Sequence, residues 1–298
     1  MNEYLSKKWR DDLLDTDHIK RKYLALPFCE INSTPNQRLD LYLPEQGEGP
    51  FPLIINVSGG GWFFGKCSTV HMGSLLFTGL EEGFAVASMA CTSSEKQIFP
   101  YQIHEVKAAI RYLRKNADKY GLDPQRFILW SASSGGHLSL MTALTSGIEE
   151  FDTPKFGHAG ISADVQSVVA TYAICELGVS GEQFAALGIT PQYHTEGPEC
   201  NEALLMGADL RTIPEKARNA SPIHHIRPDA PPVYLQHGSL DRIVPVTQAY
   251  QFYEKYCSIA GKDKITLDII DDAGHSDPRF KNEATCLKIC NHLKKLLY

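Results

Sequence analysis

The N-terminal stretch MNEYLSKKWRDDLLDTDHIKRKY has no continuous apolar core, so it fits neither a secretory signal nor a membrane span. A cytoplasmic location without a membrane partner is therefore expected. No long basic block is present either. The 29 Lys+Arg against 35 Asp+Glu leave a formal net charge of -6, which argues against nucleic acid as a partner. Eight cysteines in 298 residues are too few and too scattered for a disulfide scaffold, and no C-x-x-C pair offers zinc-ligand spacing. Cys286 and Cys290, with His292 nearby, read as buried thiols because a second ligand cluster is missing. Internal repeats and low-complexity tracts are also missing.

What remains is an ordinary globular composition, 43% hydrophobic and 21% charged, long enough to bury a large core as one domain spanning residues 1–298. Short β-rich runs alternate with longer helical patterns, the mark of parallel strands joined by crossover helices. Strands are expected at Arg38–Leu43, Leu53–Val57, Phe84–Met89, Arg126–Trp130, Ser167–Tyr172, Val233–Gln236 and Ile265–Ile270. Unbroken apolar runs such as LIINV and FILW suit strands covered on both faces, whereas the alternating RLDLYLP suits a half-exposed antiparallel strand near the sheet edge. Helices are expected at Tyr101–Tyr120, Gly135–Thr145, Thr247–Ala260 and Asn282–Leu297. Residues 1–25 carry Leu5, Trp9 and Leu13 at four-residue spacing, which predicts a helical segment docked on the body or serving as a lid. The Gly- and Pro-rich stretch 175–227 breaks the alternation and reads as an insertion over the carboxyl edge of the sheet.

Chemistry concentrates where strands end. FILWSASSGGHL places a strand, a tight Ser/Gly turn and a helix in succession, the context of a nucleophile elbow. With Ser133 as nucleophile the flanks of G-x-S-x-G are Ser131 and Gly135; shifting the frame to Ser134 gives Ala132 and Gly136. Ser133 is preferred because it lies three residues beyond Trp130 and leaves Ser134 to begin the helix. In PPVYLQHGSLDRIVPV a strand ends in a turn carrying Asp241, and in TLDIIDDAGHSDP the next strand ends in a loop carrying His275. The order Ser133, Asp241, His275 is that of a Ser…Asp…His triad, with His275 as base and Asp241 fixing its tautomer. NVSGGGWFFG adds a glycine turn whose Gly60 and Gly61 N–H groups, with that of Ser134, are candidates for an oxyanion hole. Trp62 and Phe63 are candidate pocket residues, with core packing an equal reading for Phe63 and Phe64. His104, His137, His224 and His225 are expected to serve packing and hydrogen bonding.

These segments resemble the α/β-hydrolase superfamily and, within it, the esterase/lipase group that includes hormone-sensitive-lipase-like and bacterial feruloyl or acetyl esterase-like enzymes. The similarity runs from about Leu39 to the C-terminus through LDLYLP, SGGGW, FPYQIHEVKAAIRYLRKNADKYGLDPQRF, SASSGGHL, QHGSLDRIVP and AGHSDPRF. The resemblance implies an α/β fold with a mostly parallel eight-stranded sheet flanked by helices and a lid or insertion after strand 6. It also implies hydrolysis of carboxylic esters with no metal and no organic cofactor. The partner is then a small-molecule ester of a small or aromatic acyl group, acylated carbohydrates and plant metabolites included; homo-oligomerisation is left open. Two positions depart from the family pattern. Ser58 stands where a histidine usually precedes the three glycines and is expected to hydrogen bond the loop less rigidly; Ser131 replaces the first elbow glycine and is expected to strain or displace the turn. An amidase or peptidase with the same triad, or a noncatalytic protein keeping the fold, are the rival readings.

Overall fold

In the computed structural model the described residues are 14–35, 37–63 and 72–298. Eight strands form one sheet: β1 (Lys22–Pro27), β2 (Arg38–Tyr42), β3 (Phe51–Val57), β4 (Ala85–Met89), β5 (Leu122–Ala132), β6 (Ser167–Thr171), β7 (Val233–Gly238) and β8 (Ile265–Ile270). Their order is β1-β2-β4-β3-β5-β6-β7-β8. β1 and β2 run antiparallel to their neighbours, and every pairing from β4 to β8 is parallel.

The apolar run of β3 shows why the sheet is covered twice. All seven of its residues are buried, and alternate side chains enter different cores. Leu53, Ile55 and Val57 join Ile103, Val106 and Ile110 of α2 (Tyr101–Lys115), Leu138 and Met141 of α4 (Ser134–Leu144), and Phe252 and Tyr256 of α8 (Thr247–Ile259). Ile54 faces the other way, toward Leu75 and Leu76 of α1 (Leu75–Glu81) and Ile289 and Leu293 of α9 (Glu283–Leu297). The helix expected over Tyr101–Tyr120 divides at Asn116, whose φ of -104° and ψ of 18° leave the helical region; a single turn, α3 (Ala117–Tyr120), follows and stops at Gly121 in the left-handed conformation.

RLDLYLP is antiparallel, as its alternation predicts, but it is not the edge. β1 occupies that position, formed by KYLALP with mostly exposed side chains. The helical expectation for residues 1–25 is thus corrected over Lys22–Ala25, which belong to β1, with Lys22 and Tyr23 paired to Tyr42 and Leu41 of β2 and Leu24 and Ala25 in the register shift that follows; Leu5, Trp9 and Leu13 lie outside the described residues. No helix among the described residues is long and apolar enough to cross a membrane.

Between β6 and β7 the chain forms the short helices α5 (Ser180–Leu187), α6 (Asn201–Met206) and α7 (Pro214–Asn219), beyond the carboxyl ends of the strands. This segment is tied down at several places. Gln248 Oε1 accepts the N–H groups of Cys175 and Glu176 at 2.8 Å each, Leu205 O accepts Phe99 N–H at 3.0 Å, and Arg242 O accepts Gln192 N–H at 2.7 Å.

Candidate active site

β5 runs directly into Ser133, whose φ of 57° and ψ of -129° are rare for a residue with a side chain and cost on the order of 1–3 kcal/mol unless the surroundings impose them. The surroundings do impose them. Ser133 N–H donates to Thr171 O at 2.9 Å at the end of β6, and a Cβ at Gly135 would lie 2.1 Å from Val57 O, so the next turn of chain passes directly against the end of β3. Gly59 seals the same seam, since a Cβ there would meet Ala132 O at 2.8 Å.

Ser131 belongs to this seam, and its hydroxyl does not crowd the turn. Its Oγ accepts Val57 N–H at 2.9 Å, completing the β3 ladder where β5 turns away, and it accepts the Ser139 hydroxyl of α4 at 2.9 Å. The side chain that replaces glycine at the elbow is buried and accepts two hydrogen bonds across the seam.

The loops after β7 and β8 are fastened to one another. Leu240 N–H donates to Ala273 O at 3.0 Å, Ser239 N–H to Ile270 O at 3.1 Å, and Gly238 has no room for a Cβ beside Ala273 O. Asp241 and His275 are thereby brought together, with Asp241 Oδ2 accepting from His275 Nδ1 at 2.7 Å. That bond puts the imidazole proton on Nδ1 and leaves Nε2 free to accept the Ser133 hydroxyl, 3.0 Å away. The other Asp241 oxygen accepts the N–H groups of Ile243 and Val244 at 2.8 and 2.9 Å. Burial pushes the pKa of this carboxyl up, but the neighbouring His275 and His237 outweigh burial and hold Asp241 well below the usual carboxylate range.

Tyr172, the residue after β6, holds its ring tilted against the His275 imidazole with centroids 4.5 Å apart and meets Phe280 edge-on at 4.9 Å. Burial pushes its phenol up to about 12, so it stays neutral beside the site. Sequence reasoning did not find Tyr172, because a tyrosine ending a buried strand carries no signal of its own.

Gly60 and Gly61 adopt φ of 108° and 64°, as a glycine turn requires. Their N–H groups and that of Ser134, the first residue of α4, have no acceptor among the described residues. Trp62 is buried, and its indole N–H donates to His137 Nδ1 at 3.2 Å. His137 in turn donates from Nε2 to Ala220 O at 2.8 Å, so one buried imidazole ties the glycine loop to the end of α7. Phe63 is half-buried beside Gly61, and Phe64 lies outside the described residues. Ser58 Oγ is buried with no partner among the described residues, which corrects the expectation that it braces the loop through a hydrogen bond. From α6, Asn201 Nδ2 lies 3.0 Å from where a Gly61 Cβ would stand, so the segment after β6 overhangs the glycine loop.

Cys286 and Cys290 face the α1/α9 core with thiols pushed up to about 12 by burial, which keeps them protonated, and His292 packs edge-on to Tyr234. No cluster of His, Cys, Asp or Glu able to hold a metal ion occurs among the described residues.

The BD-FAE family profile matches residues 39–256. The chain belongs to the BD-FAE family. It falls in the esterase group of the α/β-hydrolases. Esterase LipC of Mycobacterium tuberculosis is 29% identical over 256 residues, covering 86% of this chain and 60% of LipC. The probable carboxylic ester hydrolase LipM of the same organism is 28% identical over 222 residues, 74% of this chain and 48% of its own. The BD-FAE chain thus spans about half to three-fifths of the length of these curated relatives. Among solved structures, a truncated form of a carbohydrate esterase from gut microbiota superposes with a TM-score of 0.83 at 26% identity, covering 95% of this chain and 99% of that one.

Proposed function

We propose that this BD-FAE chain hydrolyses carboxylic esters through a covalent acyl-enzyme formed on Ser133. The observation that carries the proposal is the hydrogen-bonded line Ser133 Oγ, His275 Nε2, His275 Nδ1, Asp241 Oδ2, with contacts of 3.0 and 2.7 Å. His275 takes the Ser133 proton as Oγ bonds the acyl carbon, then gives that proton to the departing alkoxide, which leaves as an alcohol. Water repeats the sequence on the acyl-enzyme and releases the carboxylic acid. The tetrahedral oxyanion is received by the N–H groups of Gly60, Gly61 and Ser134, two sources of donors held against each other by the seam at Gly59 and Gly135.

For substrate, an ester of a small or aromatic acyl group on a carbohydrate alcohol is the reading supported by likeness to the gut carbohydrate esterase. The segment 175–227 acts as the cover that selects it, supported by the approach of Asn201 to Gly61. A cytoplasmic setting is in keeping with seven described cysteines that are all free thiols. The test is stoichiometric labelling by a fluorophosphonate, read by intact mass and mapped to Ser133, together with turnover of a panel of p-nitrophenyl and sugar esters with varied acyl groups. Absence of both labelling and turnover in folded protein rejects the proposal.

A further inference from the structure

His237 is the penultimate residue of β7, four positions before Asp241, and its side chain is completely buried. Its Nε2 lies 3.0 Å from Val244 O and 3.4 Å from Asp241 Oδ2, the oxygen that also receives His275. Since a carbonyl can only accept, Nε2 carries the ring proton, and Nδ1 is a bare acceptor. That Nδ1 is buried without a partner among the described residues. An unsatisfied buried acceptor costs about 1–3 kcal/mol, so a histidine is a poor choice at this position for packing alone. What the imidazole supplies that an apolar side chain does not is an N–H edge. It closes the turn 241–244 on Val244 O and sets a donor dipole beside the carboxylate.

We propose that His237 is a positioning residue for Asp241 and, through that carboxylate, sets how tightly His275 holds its proton. The inference rests on the esterase reading. Asp241 Oδ2 divides its negative charge between two N–H edges, one from each histidine. Withdrawing the His237 edge concentrates that charge on His275 and makes the imidazolium form more stable. The other groups facing the pair leave this sign unchanged. Tyr172 remains a neutral phenol against His275, Ser133 contributes a hydroxyl, and the N–H groups of Ile243 and Val244 hold the opposite oxygen of Asp241.

The test measures the rate at which a fluorophosphonate labels Ser133 as a function of pH, which follows the neutral fraction of His275 in the free enzyme and needs no knowledge of the natural substrate. For His237→Leu the acid limb should move to higher pH by roughly 0.5–1 unit, a labelling rate about three- to tenfold lower on that limb. His237→Gln, whose amide N–H reaches the place of Nε2, should restore the wild-type midpoint. His237→Asn, whose amide is one methylene shorter, should behave as the leucine variant does and serves if that variant does not fold. A midpoint unmoved or lowered in folded His237→Leu or His237→Asn overturns the inference, even where stability or the plateau rate has dropped. Failure of the wild-type protein to label at Ser133 takes down the esterase reading and this inference together, so the two failures are distinguishable.

Discussion

Removing the Ser133 hydroxyl should abolish both labelling and ester turnover without loss of the folded circular dichroism spectrum, because its contacts to the body are made by its backbone N–H and C=O. Converting Ser133 or His275 to alanine should lower kcat by about 10⁶-fold and Asp241→Ala by about 10⁴-fold, measured on one activated ester. Ser58→Ala is expected to be neutral or slightly stabilising in urea denaturation, since the hydroxyl it removes is buried and unpartnered. Ser133, Asp241 and His275 were legible because each stands in a short motif directly after an apolar strand, where order along the chain limits where a side chain can go. The orientation of Trp62 was not legible: three glycines leave the direction of the following residue undetermined, and its partner His137 is 75 positions away. Ser131 was hidden for the same reason, its acceptor role depending on Val57, 74 positions earlier.

At the level of elements, Gly135 is the position where α4 and β3 meet most closely. Gly135→Ala should destabilise by about 3 kcal/mol or more and lower the labelling rate of Ser133, because the clash is with a backbone carbonyl that has nowhere to go. Gly147→Ala is the contrast. It has open space around it and a φ of 75°, so only left-handed strain of about 1–2 kcal/mol is expected, with labelling unchanged. The buried strands were readable as apolar runs, and the long helices as amphipathic repeats, because packing against two cores writes a period into the sequence. β1 escaped that reading because an exposed edge strand has no buried face to write one, and KYLALP alternates too weakly. The division at Asn116 was likewise unmarked, since the apolar spacing continues across it into Tyr120.

For the whole molecule, His137 makes stability depend on acidity. Burial lowers it from 6.5 to about 4. Between those values the unfolded chain binds more protons than the folded one, so stability falls as pH drops from 6.5 toward 4, by an amount on the order of 3 kcal/mol. Denaturation midpoints of the wild type and His137→Leu at neutral pH and near pH 4 should therefore converge on acidification, the variant being weaker at neutral pH and less acid-sensitive. Parallel decline of the two would count against His137 as a source of the sensitivity. The seam between the elbow and the glycine loop has a different reach. It sets main chain against main chain at Gly59 and Gly135 and is closed by the Ser131 hydroxyl on Val57 N–H, so neither side tolerates drift without the other. The stretch between β6 and β7 meets the glycine loop from outside that seam, through Asn201 beside Gly61. A chimaera that exchanges that stretch as a cassette, keeping the anchoring amide of Gln248 and the carbonyl of residue 220, would carry a new substrate preference on an unchanged engine.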